Sequence, residues 1–350
     1  MKVAVVGAGA VGGLLGARLW AAGAEVTFID RDEQLEAIRR QGMTLIGEDS
    51  SQIHTTAARA AGSAAEAGPH DTVLLGVKAY QITDVAHELH HLCHDETTIV
   101  TLQNGLPWWY FHRHGGEYEG RSLRSVDPDG SIGRSIDPAR IIGCVVYPAA
   151  TVVAPGVVKV VEGNRLALGE LDGSTTPRVE ALSSWLVRAG FKAPIIGDIR
   201  NELWLKLWGN LSFNPISALT GATMVDICRF APTRDLAAEM MREAEAVATK
   251  LGVTFRVSIE RRLAGAERVG AHKTSMLQDI EAGRPIEIDA LVGSVIELGE
   301  LTGTPTPSIR AVYACAGLLA RTGAGASSSG QPCRDAQKVG LNWARGRADD

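Results

Sequence analysis

Three polar side chains recur every four residues inside an otherwise apolar stretch of the chain. Lys206, Asn210 and Asn214 lie between Glu202 and Pro215 among leucine, tryptophan and phenylalanine residues. Positions four apart on an α-helix drift by only roughly 40° per step, so these side chains are predicted to project into one narrow sector. A buried lysine without a partner is costly, so the line is expected to face a cleft, where an ammonium group can donate a proton or stabilise developing negative charge. The alternative is a lysine that snorkels from a packed helix beside two capping asparagines.

A second group of polar residues follows in the last third of the chain. Ser275 and Asp279 are predicted to share one face of a helix that Gly283 and Pro285 end. Glu287 is then expected in the first turn of the next helix, where the helix dipole favours a carboxylate. The alternative explanation is that Glu287 only stabilises the start of that helix and takes no part in a site.

A glycine-rich loop near the start of the chain fits the pattern G-x-G-x-x-G. It follows the apolar run Val3–Val6 directly and opens a helix-like segment, which is the context that a pyrophosphate-binding loop requires. Gly7 is expected to allow the tight turn, Gly9 the close approach of the pyrophosphate, and Gly12 the packing of helix on strand. The candidate cofactor-binding residues of this loop are Gly7, Ala8, Gly9, Ala10, Val11 and Gly12.

The second apolar run ends in two residues with opposite implications for the dinucleotide. Asp30 lies where an acidic residue commonly binds the adenosine ribose hydroxyls of NAD, and its carboxylate would repel a 2′-phosphate. Arg31, the next residue, is of the type that would attract a 2′-phosphate. The sequence therefore leaves the choice between NAD and NADP open.

The elements that position these residues alternate between short apolar runs and segments with the apolar spacing of a helix. Short apolar runs are predicted to be buried parallel strands, and helices are predicted over Val11–Ala22 and Ile82–Leu92. This alternation of strands and helices implies right-handed βαβ units and an α/β, Rossmann-type doubly wound sheet. From Asn201 to about Thr322 the pattern is helical. The predicted strands are Val3–Val6, Glu25–Ile29, Thr72–Val77, Thr98–Leu102, Arg140–Val146 and Gly156–Val161.

Near residue 198 the sequence pattern changes from alternating strands and helices to helices alone. This change predicts two domains, followed by a tail. The prediction is a dinucleotide-binding Rossmann domain over 1–198, an all-helical substrate domain over 199–322, and a flexible tail rich in Gly, Ser and charge over 323–350. The charge-free stretch Ile141–Val158 is interpreted as two buried strands joined by a turn, because Gly and Pro residues interrupt it. No membrane-spanning segment or signal peptide is predicted.

Composition excludes several classes of function. The chain has 350 residues and a formal net charge of −5, which argues against a broad basic surface for nucleic acid. Five cysteines without a CxxC pair predict reduced thiols in the cytoplasm. His87, His90, His91 and His94 are interpreted as a solvated helix face, so no metal site is predicted.

Several of these motifs together resemble the ketopantoate reductases (2-dehydropantoate 2-reductases), in order along roughly residues 1–320. The resemblance implies an N-terminal Rossmann domain, a helical C-terminal domain and an active site in the cleft between them. It implies NADPH as the cofactor, with NADH as an option because of Asp30, and a small anionic 2-oxo acid as the substrate. The helical half is a candidate surface for a homodimer. The motifs are Gly7–Gly13, Val77–Gln81, Gln103-Asn104-Gly105, Lys206-x3-Asn210-x3-Asn214-Pro215, and Ser275–Asp279 with Glu287.

The resemblance also implies a role for each residue. Lys206 would be the general acid that protonates the ketone oxygen as hydride arrives from the nicotinamide. Glu287 would be a second catalytic residue in contact with cofactor or substrate. Asn104 would lie beside the nicotinamide ribose and the substrate, Lys78 would line the cofactor cleft, and Ala150 would approach the nicotinamide. The residues that would hold the substrate's hydroxyl and carboxylate are Asn210, Asn214 and Ser275.

Three departures from the family pattern leave alternatives open. Many relatives have a small or apolar residue where this chain has Asp30, and some have a substrate-site asparagine near the position of Met224. The aromatic run Pro107–Phe111 is either part of an apolar substrate pocket or an anchor for the glycine-rich excursion over residues 112–139. The alternatives to a ketopantoate reductase are an NAD-dependent dehydrogenase of another, bulkier C3-branched 2-hydroxy acid and a non-catalytic dinucleotide sensor.

Overall fold

The first half of the chain is built on a seven-stranded sheet with a smaller sheet beside it. The computed structural model describes residues 1–56 and 58–325. In chain order the elements of this half are β1 (Lys2–Val6), α1 (Ala10–Ala21), β2 (Glu25–Ile29), α2 (Asp32–Gln41), β3 (Thr44–Ile46), β4 (Gln52–His54), β5 (Arg59–Ala61), α3 (Ala64–Ala67), β6 (Thr72–Leu75), α4 (Ile82–Ala86), β7 (Thr98–Thr101), α5 (Ser131–Ser135), β8 (Ile141–Val146), β9 (Ala149–Ala154), β10 (Val157–Glu162), β11 (Leu166–Gly169) and α6 (Pro177–Arg188).

The large sheet has the strand order β11-β8-β7-β6-β1-β2-β5 and is parallel except where β11 joins β8. Its strands β6, β7, β8 and β11 are buried throughout, as continuous apolar runs predict. The chain leaves β1 in the middle and turns first to one side and then to the other. Ligands bind at such a reversal, outside the carboxyl ends of the strands. The predicted α/β class with a Rossmann-type sheet is confirmed.

The second half is helical. Its longest helix, α7 (Ile199–Thr220), begins at Asp198, whose carboxylate accepts a hydrogen bond from the Asn201 amide at 3.0 Å, and ends at Gly221 in a left-handed conformation. Pro215 lies inside α7 without ending it. The other helices are α8 (Met224–Arg229), α9 (Ala231–Lys250), α10 (Ile259–Val269), α11 (Ser275–Glu281), a π-helical turn over Asp289–Gly293, α12 (Ser294–Leu301) and α13 (Pro307–Gly325).

Two local predictions were wrong. The charge-free stretch Ile141–Val158 holds one buried strand, β8, followed by parts of a half-exposed hairpin of β9 and β10 in the second sheet, whose order is β4-β3-β10-β9. The predicted helix Ile82–Leu92 stops at Ala86 and resumes as a 3₁₀-helix over Leu89–Leu92. There a ring nitrogen of His90 contacts the His87 carbonyl at 2.8 Å, and this local bond competes with the helical ladder.

The aromatic run after β7 anchors the excursion that follows it. Trp108, Trp109, Tyr110 and Phe111 are 6%, 2%, 0% and 0% exposed, and none of them lines the large cleft described below. The Tyr110 hydroxyl accepts a hydrogen bond from the Trp204 indole of α7 at 2.7 Å. The structure therefore supports the anchor interpretation and not the apolar pocket.

The division at residue 198 stays a prediction, because the two halves share packing. Leu106, Tyr110, Phe111 and Leu123 belong to the hydrophobic core of the helical half. Of the predicted tail, residues 323–325 continue α13, and residues 326–350 lie outside the described residues. Among the helices that are described, none is both long and apolar enough to cross a membrane.

One turn joins the sheet to the helical half by direct backbone contact. Gly105 has φ +87°, and the next amide, that of Leu106, donates to the Ala290 carbonyl at 3.0 Å. A Cβ atom at Gly105 would overlap that carbonyl group. Glycine is therefore required both by the backbone conformation and by the close approach.

We expect Gly105→Ala to destabilise the protein by more than Gly120→Ala. Gly120 has φ +71° but nothing within 4 Å of a Cβ position, so alanine there carries only the conformational cost. The overlap with Ala290 should add about 1–3 kcal/mol at Gly105, as overpacking does. Urea unfolding of both variants measures the difference, and equal losses would show that the contact between the halves contributes nothing.

Candidate active site

A cavity of about 690 Å³ opens between the carboxyl ends of the parallel strands and the face of α7. It brings together residues from the two halves that are more than a hundred positions apart in the chain. Of the predicted site residues, those that line it are Gly7, Gly9, Ala10, Val11, Asp30, Arg31, Lys78, Asn104, Ala150, Lys206, Asn210, Asn214, Ser275 and Glu287. Ala8 and Gly12 do not line it.

The glycine loop has the shape of an anion-binding helix start. Gly7 has φ +88°, and a Cβ atom at Gly12 would overlap the Gly7 carbonyl, so both glycines serve the packing of α1 on β1. Gly9 is the N-cap of α1 and has nothing within 4 Å of its Cβ position, so a ligand can approach its backbone closely. The first amides of α1, at Ala10 and Val11, have no partner within the helix, and both residues line the cavity. The loop therefore fits a dinucleotide pyrophosphate.

Asp30 braces this loop as well as facing the cavity. Its carboxylate accepts hydrogen bonds from the amides of Ala8 at 2.7 Å and Arg31 at 2.9 Å. Burial raises the pKa of Asp30, and the two amides only partly oppose this effect. Ala8 is 0% exposed and its carbonyl accepts from Gln34 at 2.6 Å. Its amide is bound by Asp30 inside the protein, and the prediction of Ala8 as a cofactor contact stays a prediction.

Lys206 lies at the centre of the cavity wall formed by α7. Its Nζ donates to Oδ1 of Asn104 at 2.6 Å and to the carbonyl oxygen of Val146 at the end of β8. Both acceptors are uncharged. Burial lowers the pKa of Lys206 to about 8, while Cys144 and Glu287 oppose the shift. The ammonium group is thereby poised to release its proton near neutral pH.

The other members of the polar line face the same cavity. Asn214 is 5% exposed, and its Nδ2 lies 3.5 Å from Oγ of Ser275, the first residue of α11. Asn210 lines the cavity between Lys206 and Asn214. Period-four spacing on α7 therefore directs all three side chains to one side, as predicted.

Lys78 forms an ionic bridge from the Rossmann half to the helical half. Its Nζ contacts Oδ2 of Asp279 at 2.9 Å and Oε2 of Glu287 at 3.3 Å, and the Ala79 amide donates to Oε1 of Glu287 at 3.0 Å. Burial alone would lower the pKa of Lys78, but the two carboxylates outweigh it and raise the pKa. Asp279 also accepts from Arg284 at 2.9 Å.

The position of Glu287 differs slightly from the prediction. It precedes the first helical residue, and its carbonyl accepts the amide of Leu291 at 3.2 Å. Its carboxylate contacts Lys78 and the Ala79 amide and does not cap its own helix. The pairing of Asp279 with Lys78 was not predictable from residue spacing, because the two residues are 201 positions apart.

Sequence reasoning assigned no role to several other lining residues, among them Tyr147 and His272. Gln103 donates to the carbonyl oxygens of Leu75, the last residue of β6, and of Val77, each at 2.8 Å. Tyr147, Met224 and His272 also line the cavity. Tyr147 and His272 carry no motif, and only the predicted end of the strand Arg140–Val146 pointed to the neighbourhood of Tyr147. In the part of the chain that the structure describes, no three His, Cys, Asp or Glu side chains converge as a metal site, and this includes the cluster at His87–His94.

A glycine loop at the switch point of a parallel sheet, facing a buried lysine on a helical half, defines a two-domain dinucleotide-dependent oxidoreductase. The chain belongs to the ketopantoate reductase family. The family model "Ketopantoate reductase PanE/ApbA" matches residues 3–173, and "Ketopantoate reductase PanE/ApbA C terminal" matches residues 198–320.

Individual relatives are similar to this chain over nearly its whole length. A 2-dehydropantoate 2-reductase of Mesorhizobium japonicum is 51% identical over 321 residues, which cover 91% of this chain and 98% of the relative. A crystal structure of a protein of this family from Ralstonia solanacearum MolK2 is 40% identical with a TM-score of 0.88, and covers 92% of this chain and 98% of its own. The 2-dehydropantoate 2-reductase of Geobacter metallireducens is 27% identical with a TM-score of 0.80, covering 91% and 99%.

We expect Asp279→Asn to weaken the connection between the two halves. The change removes a carboxylate that is 7% exposed and pairs with Lys78 and Arg284, so it should lower the free energy of unfolding by about 1–2 kcal/mol after allowance for the partial exposure of Lys78 and the exposure of Arg284. The matched control is Glu281→Gln, which breaks the exposed pair with Lys273 and should change stability by less than about 0.5 kcal/mol. Urea unfolding measures both, and equal effects would contradict a structural role of the bridge.

Proposed function

We propose that this protein reduces the ketone of 2-dehydropantoate to the hydroxyl of pantoate, with a nicotinamide dinucleotide as the hydride donor. The observation that carries the proposal is the Lys206 ammonium group, held by Asn104 and Val146 in a cavity that also contains the glycine loop. The relatives that bear the name 2-dehydropantoate 2-reductase support this choice of substrate.

Lys206 supplies the proton for the reduction. A bound nicotinamide supplies the hydride to the ketone carbon. As negative charge develops on the ketone oxygen, the Lys206 ammonium group stabilises it and transfers its proton, which completes the hydroxyl group. Asn104 keeps the ammonium group oriented towards the cavity through the bond to its Oδ1.

Asn210, Asn214 and Ser275 provide the neutral hydrogen-bonding groups that hold the substrate. Amide and hydroxyl side chains can both donate and accept, so they suit a hydroxyl group and a carboxylate alike. Asn214 and Ser275 are within 3.5 Å of each other, so they can bind one ligand group together. Glu287 and Lys78 neutralise each other at the boundary between this region and the dinucleotide loop.

Asp30 is the residue that opposes NADPH in this chain. The family resemblance favours NADPH, and the exposed Arg31 at the rim of the cavity agrees with it. The Asp30 carboxylate, however, lines the cavity where β2 ends, and its negative charge would repel a 2′-phosphate. We propose that Asp30 sets the balance between the two cofactors.

The proposed reaction is tested by following the oxidation of NADPH and of NADH with ketopantoate at several pH values. We expect Lys206→Ala to lower kcat by about 10²-fold or more, because it removes the proton donor. In the wild type the protonated fraction of Lys206 falls as the pH rises through about 8, so kcat/KM for reduction should fall above that pH. Oxidation of pantoate needs the neutral amine and should rise through the same range.

Three outcomes would change this assignment. Turnover only with bulkier branched 2-oxo acids would replace ketopantoate as the substrate. Cofactor binding without oxidation by any 2-oxo acid would indicate a dinucleotide sensor. A Lys206→Ala variant that changes KM alone would mean that the lysine only binds substrate. A homodimer through the helical half stays a prediction.

We expect Asp30→Asn to raise the ratio of kcat/KM with NADPH to kcat/KM with NADH by about tenfold or more, since a like charge beside the 2′-phosphate is removed. Asparagine retains an oxygen that can accept the Ala8 amide, so the loop should remain in place. Glu33→Gln, an exposed neighbouring change on α2, is the control and should leave the ratio unaltered. An unchanged ratio in Asp30→Asn would exclude Asp30 as the determinant.

A further inference from the structure

The line of polar side chains on α7 begins one turn before Lys206, at Glu202. Glu202 lies four residues before Lys206, which is the same spacing that separates Lys206 from Asn210. Residues four apart on a helix are neighbours, with Cβ atoms roughly 5–6 Å apart, and a glutamate that precedes a lysine by four residues is the favourable order for an ion pair. The geometry of α7 therefore offers Lys206 a carboxylate from its own helix.

This ion pair does not form in the structure. Lys206 donates to neutral oxygens of the other half, and Glu202 is not among the residues that line the cavity. Oε1 of Glu202 instead accepts hydrogen bonds from the Tyr147 hydroxyl at 2.8 Å and from the Arg165 guanidinium group. The Glu202 side chain is only 13% exposed, and these two donors compensate for the water that its carboxylate has lost.

The two donors hold each other in place where β8 ends and β11 begins. Arg165 directly precedes β11, and its guanidinium group lies over the Tyr147 ring, 4.8 Å from the ring centroid. The Tyr147 amide donates to the Arg165 carbonyl at 3.1 Å, which extends the pairing of β8 with β11. Arg262 of α10, whose pKa burial lowers and Tyr147 partly restores, is a further cation on this side. Backbone pairing thus fixes both side chains that reach Glu202.

The other ionisable groups that act on Lys206 leave it without a counter-ion. Apart from burial, Cys144 of β8 and Glu287 affect its pKa. Burial raises the pKa of Cys144 to about 12, so the thiol stays neutral. Glu287 is paired with Lys78. Within the described part of the chain Lys206 forms no ion pair, and Glu202 is the acid that its own helix places beside it.

A carboxylate bound to Lys206 would make it a poorer proton donor. An opposite charge at that distance favours the ammonium form, and a weaker acid releases its proton less readily to a developing oxyanion. The carboxylate would also occupy the N–H groups that the proposed reaction directs at the ketone oxygen. Keeping Glu202 bound elsewhere therefore matters for the chemistry of the site.

We propose that Arg165 and Tyr147 are positioning residues that hold Glu202 away from Lys206, so that the ammonium group stays free for the ketone oxygen. This inference rests on the proposed function. Tyr147 supplies a neutral donor and Arg165 a charged one, and a carboxylate that accepts from both gains more than it would from the lysine alone. The site thereby retains an acid on α7 without neutralising the lysine one turn away.

The test releases Glu202 by removing both of its donors. Tyr147→Phe keeps the ring, Arg165→Met keeps most of the side-chain length, and neither new side chain donates a hydrogen bond. With both changes we expect Glu202 to pair with Lys206 and to raise the pKa of Lys206 by about one unit or more. Each change alone leaves one donor and should raise this pKa by less. NMR of protein labelled with [ε-13C]lysine, without substrate or cofactor, measures the pKa, and Lys206→Ala assigns the signal.

A further change separates the released carboxylate from a general disturbance of the site. Adding Glu202→Gln to the double variant should return the pKa of Lys206 to the wild-type value. Glu202→Gln alone should lower the pKa much less than it does in the double variant, because in the wild type the carboxylate is already bound elsewhere. The pH at which kcat/KM for reduction falls should follow the same pattern, moving upwards from about 8 in the double variant and back in the triple variant.

Matched controls break similar contacts elsewhere in the molecule. Tyr313→Phe removes the hydrogen bond from the Tyr313 hydroxyl to Asp289 at 2.6 Å, and Arg113→Met removes the pair with Asp172 at 2.8 Å. None of these four residues lines the cavity. Neither control should move the pKa of Lys206.

The inference is overturned if the double variant does not raise the pKa of Lys206, or if the controls raise it as much. It is also overturned if Glu202→Gln lowers this pKa equally in the wild type and in the double variant. If the wild type reduces no 2-oxo acid but the pKa of Lys206 rises and returns as described, the proposed function falls and the role of Arg165 and Tyr147 stands.

Discussion

The structure depends on keeping one lysine charged away from bulk water. Lys206 loses hydration in the cavity, and the two oxygens that replace water come from the other half of the molecule, from Asn104 after β7 and from Val146 at the end of β8. Both acceptors are neutral, so they satisfy the ammonium group without fixing its proton there, as a carboxylate would. The same arrangement that makes Lys206 costly to bury therefore makes it a suitable acid.

The neutral surroundings of Lys206 require the acidic residues of the region to be held elsewhere. Glu287 and Asp279 are both bound to Lys78, and Glu202 is bound to Arg165 and Tyr147. Burial and Glu202 raise the pKa of Tyr147 to about 12, so this phenol stays neutral and donates its proton to Glu202. Glu287, Asp279 and Glu202 thus each have their own cation or donor, and none of them pairs with Lys206.

Much of the fold was predictable because its signals are local. The strands β1, β2, β6 and β7 are continuous apolar runs, and the glycine loop occupies the space between β1 and α1 that its pattern requires. Of the small second sheet only β10 was predicted, since β3 and β4 are three residues each and β9, although apolar in sequence, is half-exposed. The helix at Ile82–Ala86 was predicted too long because apolar spacing carries no information on the contact between the His90 ring and the His87 carbonyl.

The sequence by itself determined which residues could do chemistry and on which side of their helix they lie. Period-four spacing places Lys206, Asn210 and Asn214 on one side of α7 whatever surrounds it, since helix geometry is local. Tertiary structure decided what these residues meet. The Asn104 oxygen on Lys206, the Asp279 carboxylate on Lys78 and the Ala8 amide on Asp30 all join segments distant in the chain. Such pairs depend on how the sheet and the helices pack together, and the spacing of residues along the chain does not determine those packing distances.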